Sequence, residues 1–160
     1  MSRIARQILF VCSGNICRSP AAEGLCRQAL EQHSRRGWRV GSCGTLRIAG
    51  EPAAPFTIRA LAERGVDLED FHSRPMSIFL LREADWIICM EEHHREAVIE
   101  ELGGDVDLVD RIAVITEFHP EEKLRNSAGI YDFVREPWES YREGIDELER
   151  CVLHLVETLP

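Results

Sequence analysis

Within "ILFVCSGNICRSP", residues 8–20, Cys12 is followed after five residues by Arg18, with a second cysteine, Cys17, immediately before the arginine. Residues of these types could do three kinds of chemistry. Two thiolates can hold a metal, two thiols can pair as a disulfide, and a thiolate beside a guanidinium can bind and attack a phosphorus. Zinc would want a second pair of ligands, and Cys12 and Cys17 have no matching Cys or His partners at ligand spacing. A structural disulfide suits a secreted chain, which nothing in this sequence suggests. The third reading uses every residue of the stretch.

A short loop wrapped around one point aims successive backbone N–H groups inward and forms an anion nest. A helix starting at its end adds positive potential, and Arg18 offers a planar fork for two phosphate oxygens. Gly14 and Asn15 are the residues most tolerant of the left-handed backbone that a tight cradle needs. The same field favours the thiolate of Cys12, the form that attacks. The loop is too short for a dinucleotide fingerprint and lacks the lysine of a nucleotide-binding loop.

The elements around this loop must hold it at a sheet edge. "QILFV" is a continuous apolar run, the pattern of a parallel strand buried on both faces. Ser19 reads as an N-cap and Pro20 as the first helical residue of "SPAAEGLCRQALEQHS". A strand follows in "WRVGSCG", then a helix in "GEPAAPFTIRALAERG" stopped by Gly65. "SIFLLREA" reads as a helix, "DWIICM" as a strand and "EEHHREAVIEELGG" as a helix. "VDLVD" and "IAVIT" are short apolar runs, at least one of them a strand, and the chain closes with the amphipathic "YREGIDELERCVLHLVETL". This alternation predicts one α/β domain over residues 1–160 with a parallel sheet, and ligands bind such sheets where strands end and helices begin.

Composition limits the partners. At 44% hydrophobic and 29% charged, the 160 residues are those of an ordinary globular domain. No apolar run approaches membrane-spanning length, and "MSRIARQ" lacks a signal-peptide pattern, so a cytoplasmic protein without membrane contact is expected. A net charge of −9 argues against nucleic acid. Residues 1–47 nevertheless hold eight arginines against Glu23 and Glu31, a local balance of +6 that leaves −15 for the rest. The basic end could attract inorganic phosphate or another oxyanion. Cys26, Cys89 and Cys151 fall in helix-like or strand-like segments and read as small buried thiols. "EEHH" at 91–94 reads as a solvated helix face, because consecutive helical residues point in different directions.

"VCSGNICRSPAAEG" resembles the signature loop of the low-molecular-weight protein tyrosine phosphatases. "GSCGT", "GVDLEDFHSRPMS" and "ADWIICMEEHH" resemble further segments of that family, so the likeness runs from about residue 7 to the C-terminus. It implies a four-stranded parallel sheet flanked by helices on both faces, the phosphate loop between strand 1 and helix 1, and no metal or organic cofactor. It implies Cys12 as nucleophile, Arg18 as phosphate clamp and Ser19 as the hydroxyl that stabilises the thiolate. Ser13, Gly14, Asn15, Ile16 and Cys17 would surround the phosphate, with Asn15 holding the strained backbone and Ser42 and His72 bracing it.

A phosphate monoester leaves poorly as an oxyanion, so an acid must protonate the leaving oxygen. The family uses an aspartate, usually followed by proline, before the last helix. This sequence departs from that pattern: "GIYDFVREPWESY" offers Asp132 followed by Phe133, and Glu136 followed by Pro137. Asp132, two residues after Ile130, resembles the family aspartate in its distance to Tyr141 and the closing helix, while Pro137 is equally explained as a helix start. Ile16 stands where tyrosine phosphatases of the family commonly have isoleucine and its protein-arginine phosphatases threonine, so phosphotyrosine proteins lead as substrates. Leu46, Arg47 and Ile48 would form one wall of the groove, with Phe133 and then Val134 available for the other. Cys17 could protect Cys12 through a reversible disulfide. An arsenate reductase of the same fold would want two further cysteines near a later strand, where Cys89 stands alone. A silent phosphoprotein-binding module is a further alternative. The protein is expected to be a monomer or weak dimer.

Overall fold

In the computed structural model the described residues are 6–160; residues 1–5 of "MSRIARQ" lie outside them. Strands β1 (Arg6–Cys12), β2 (Trp38–Gly44), β3 (Trp86–Cys89) and β4 (Ile112–Val114) form one sheet in the order β2-β1-β3-β4. All three pairings are parallel, with Phe10 opposite Ser42 on one side and Ile88 on the other. The central run "ILFVC" explains its own apolar continuity. Ile8, Phe10 and Cys12 enter the core cluster shared with helices α1 (Arg18–Gln32), α2 (Pro55–Ala62) and α6 (Trp138–Thr158). Leu9 and Val11 enter a second cluster with Leu81 of α3 (Ile78–Glu83) and Val98 of α4 (Glu92–Glu101). A strand buried on both faces needs apolar residues at every position, which is the helix–sheet–helix layering.

Helix α6 buries Tyr141, Gly144, Ile145, Leu148, Cys151, Val152 and Leu155. That spacing is a single apolar stripe, and it lies against α1 and α2 and shares one core cluster with Ile8, Phe10 and Ile88 of the sheet. "VDLVD" forms one helical turn, α5 (Val106–Val109), so the strand of this pair is "IAV". Asp105 caps that turn through its side chain, which helps explain why helix prevails there. Helix α1 begins at Arg18 and not after a Ser19 cap; its N-cap is Cys17, without a side-chain cap bond. The Ser19 hydroxyl serves another purpose. All six cysteines are unbridged and buried, and burial pushes the Cys26, Cys43 and Cys151 thiols up to about 12.

The strand order reverses between β1 and β3, and the loop after β1 opens at that switch point. Gly44, at the end of β2, lets the neighbouring chain lie directly against this loop. A Cβ there would sit 2.6 Å from the Ser13 carbonyl oxygen and 3.0 Å from the Asn15 nitrogen. The amides of Thr45 and Leu46 donate to the carbonyls of Cys12 and Ser13, each at 3.0 Å.

Candidate active site

The loop from Cys12 to Arg18 is held from inside by one side chain. Asn15 has φ +56° and is fully buried. A non-glycine residue in left-handed backbone is strained unless its surroundings fix it. Here its amide nitrogen donates to Ser19 Oγ at 2.8 Å and Ser42 Oγ at 2.9 Å, and its oxygen accepts from the Arg74 amide at 2.9 Å. Ser42 donates onward to Glu23. Because Ser19 Oγ already accepts from Asn15, its own hydrogen is free for Cys12 Sγ, 2.9 Å away. A hydroxyl aimed at a sulfur in this way stabilises a thiolate by hydrogen bonding.

Arg18 is 1% exposed, yet carries its charge into a hydrogen-bonded slot. Its Nη1 donates to the Ile130 carbonyl at 2.7 Å and lies 3.2 Å from Glu91 Oε1. Nη1 is thus held by one hydrogen bond and one ion pair, and the Nε–Nη2 edge remains for a ligand. Nη2 lies 3.9 Å from Asp132 Oδ2. The Asp132 carboxylate is half-exposed, and its other oxygen accepts from the Val134 amide at 3.0 Å, an Asx turn that fixes its direction. Cys12, Ser13, Gly14, Ile16, Cys17, Arg18, Leu46, Ile48, Asp132 and Val134 line one cleft of about 150 Å³.

Two further side chains support the loop. His94, 0% exposed, accepts from the Glu91 amide at Nδ1 (3.0 Å), so its proton is on Nε2, which faces Ser13 Oγ at 2.8 Å. Burial, then the charges of His93 and Arg18, lower its pKa to about 3 and keep the ring neutral. The Tyr141 hydroxyl lies 3.1 Å from Cys17 Sγ and 2.5 Å from Thr57 Oγ1. Desolvation pushes the Cys17 thiol up to about 12, so it is uncharged at neutral pH.

The structure differs from the sequence expectations at five places. His72 is exposed, and its Nδ1 bonds the Asp70 carbonyl; the Arg74 amide, two residues on, makes the contact to Asn15. Phe133 is 0% exposed and packs edge-on against Tyr141 at 4.8 Å, so it cannot line a groove. Val134 faces the cleft instead, and Leu46 (62% exposed) and Ile48 form the opposite wall without Arg47. Asn15 alone in the loop is left-handed; Gly14 is not among the residues of positive φ. "EEHH" is not a solvated face throughout, since His94 is buried and Glu91 reaches Arg18. These two residues follow β3 at the sheet's C-terminal edge, and that position was the available signal. Glu91, His93 and His94 also place one ligand atom each within 4.8 Å of one another, although both nitrogens of His94 are already bonded. Glu136 is not among the residues lining the cleft.

A thiol, a cationic fork and a carboxylate around one small opening can together grip a tetrahedral oxyanion, attack it and move a proton. Comparisons with known proteins bear on the same residues. The family model described as low molecular weight phosphotyrosine protein phosphatase matches residues 7–160. The probable low molecular weight protein-tyrosine-phosphatase EpsP of Ralstonia nicotianae is 28% identical over 141 residues, 88% of this chain and 92% of that protein. The protein-arginine-phosphatase of Bacillus subtilis is 30% identical over 155 residues, 95% of each chain. The crystal structure of the low molecular weight protein tyrosine phosphatase from T. tengcongensis matches with a TM-score of 0.85 at 28% identity, over 97% of this chain and 100% of that one.

Proposed function

The chain belongs to the low molecular weight phosphotyrosine protein phosphatase family, and from that premise we propose that it hydrolyses phosphotyrosine on proteins through a cysteinyl-phosphate intermediate. Cys12 attacks phosphorus as a thiolate, and the ester oxygen leaves with a proton from Asp132. Arg18 grips two phosphate oxygens with its Nε–Nη2 edge, while Ile130 and Glu91 hold its other nitrogen from behind. Asp132, now a base, takes a proton from water, and that water attacks the phosphocysteine. The Cys12 thiolate departs, stabilised by the Ser19 hydroxyl, and inorganic phosphate is released. The observation that carries this reading is the convergence of Cys12 and Arg18 with Asp132, far along the chain, on one cleft.

The apolar walls Ile16, Leu46, Ile48 and Val134 suit an aromatic leaving group. The loop residues Ser13 to Cys17 surround the phosphate, supported by Asn15 and Ser42. No cofactor or metal is needed for these steps. Residues 1–160 act as one domain, in the cytoplasm, as a monomer or weak dimer; no helix among the described residues is long and apolar enough to cross a membrane. The relative from Bacillus subtilis keeps phosphoarginine as the second reading. The test is side-by-side turnover of phosphotyrosine and phosphoarginine peptides, with arsenate reduction as a third assay. Phosphotyrosine should give the highest kcat/KM, and Cys12→Ser should abolish turnover while still binding phosphate. Faster phosphoarginine hydrolysis, or binding of phosphopeptide by the wild type without turnover, would reject the reading.

A further inference from the structure

We propose that His94 is a positioning residue of the phosphate loop, acting through the Ser13 hydroxyl to hold the residue next to Cys12 in its oxyanion-accepting place. The inference rests on the reading of the loop from Cys12 to Arg18 as an oxyanion cradle. His94 stands at the third position of α4, where a side chain commonly reaches back to the backbone N–H before the helix. Its Nδ1 does that, accepting from the Glu91 amide. A cap alone needs only that acceptor, and an exposed Glu or Gln would serve. This ring is instead fully buried, and its second nitrogen points across 81 residues of sequence at Ser13.

The two bonds are linked by chemistry. The Glu91 N–H occupies the Nδ1 lone pair, so the neutral ring carries its proton on Nε2 and can only donate to Ser13. With that bond made, the Ser13 hydroxyl hydrogen must point away from His94. Glu91 ties the same turn to Arg18 through its carboxylate. One turn after β3 therefore touches both ends of the loop, Ser13 beside the nucleophile and Arg18 at its far end. Asn15 braces the middle from the opposite side, through Ser42 and the Arg74 amide.

The experiment separates the cap from the loop contact. Asn in place of His94 keeps an acceptor near the Glu91 amide but is too short for Ser13, whereas Gln places a donor near the Nε2 position. Inorganic phosphate is titrated against wild type, His94→Asn, His94→Gln, Ser13→Ala and the His94→Asn/Ser13→Ala double variant, followed by NMR. The kcat/KM for a phosphotyrosine peptide and the thermal midpoint are measured beside it. His94→Asn should weaken phosphate binding roughly 2- to 10-fold, the scale of one neutral hydrogen bond. Its kcat/KM should fall at least as far. Ser13→Ala should match that loss, the double variant should be no worse than either single, and His94→Gln should recover most of it. Unchanged phosphate binding in His94→Asn, additive losses in the double variant, or Gln no better than Asn would each overturn the proposal. Should His94→Asn unfold, Ser13→Ala, which leaves α4 intact, still decides by its phosphate affinity. A wild type that binds no phosphate overturns the cradle reading and this proposal together, whereas equal binding by wild type and His94→Asn removes only the latter.

Discussion

Asp132 and Glu136 stand four residues apart, and their surroundings give them different prospects as the proton donor. Asp132 has one oxygen tied by the Val134 amide and the other turned toward Arg18 across the cleft. That arrangement fixes the carboxylate without burying it, as proton exchange with substrate and water requires. The Glu136 amide bonds the Phe133 carbonyl in a turn, and its side chain is absent from the cleft lining. Asp132→Asn should lower kcat by roughly 10²-fold or more, and Glu136→Gln should leave it within a few-fold; the reverse order in a pH-rate series would move the acid to Glu136. Arg18 supports a second expectation. Lysine has no planar fork to anchor on Ile130 and Glu91 while gripping phosphate, so Arg18→Lys should cost roughly 10- to 100-fold in kcat/KM, the scale of one lost charge-assisted bond.

The turn joining β3 to α4 carries a pH dependence of stability. His94 titrates near 6.5 when unfolded and is lowered to about 3 in the fold, chiefly by burial. The folded state thus binds fewer protons than the unfolded state between those values. Its contribution is complete above about pH 6.5 and is lost as pH falls toward 3, with a slope approaching 1.4 kcal/mol per pH unit. Urea unfolding from pH 7.5 to 4.5 should show that slope in the wild type and less of it in His94→Asn; equal slopes would remove His94 as the cause. The same turn marks where the sequence stops being legible. β1, α1 and α6 could be read because burial dictated their patterns: continuous apolar residues for a two-sided strand, a 3.6-residue stripe for a helix on the sheet. That Cys12, Arg18 and Ser19 lie together could be read because they are local to one loop. His94 could not, since four polar residues in a row look solvated until the sheet edge beside them is known. His72 and Phe133 failed similarly: which neighbour a loop residue meets is a tertiary fact, and a shift of two residues carried Asn15's partner to Arg74 while a shift of one carried the groove wall to Val134.

At the scale of the molecule, helix α6 carries the packing that joins the segment of Asp132 to the loop from Cys12 to Arg18. Phe133, next to Asp132, lies over Gly144, where a Cβ would collide with the phenyl ring. The same ring meets Tyr141 edge-on at 4.8 Å, and the Tyr141 hydroxyl reaches Cys17 and Thr57. Arg64, after α2, meets Asp146 and Glu149 of the same helix. A dense interior transmits a local overlap as a shift of its neighbours, and here the neighbour is Phe133, in the segment that carries Asp132. Gly144→Ala gains intrinsic helix propensity but adds a methyl group against Phe133, an overpacking worth about 1–3 kcal/mol. For a domain of this size that lowers the thermal midpoint by roughly 2–10 °C. Displacement of Asp132 should reduce kcat several-fold, while inorganic phosphate, held by the Cys12–Arg18 loop, should bind almost as before. Glu143→Ala, one residue earlier on the exposed face, is the matched control and should change none of these. A Gly144→Ala enzyme with a lowered midpoint and unaltered kcat would show that α6 stabilises the fold without setting the position of the acid.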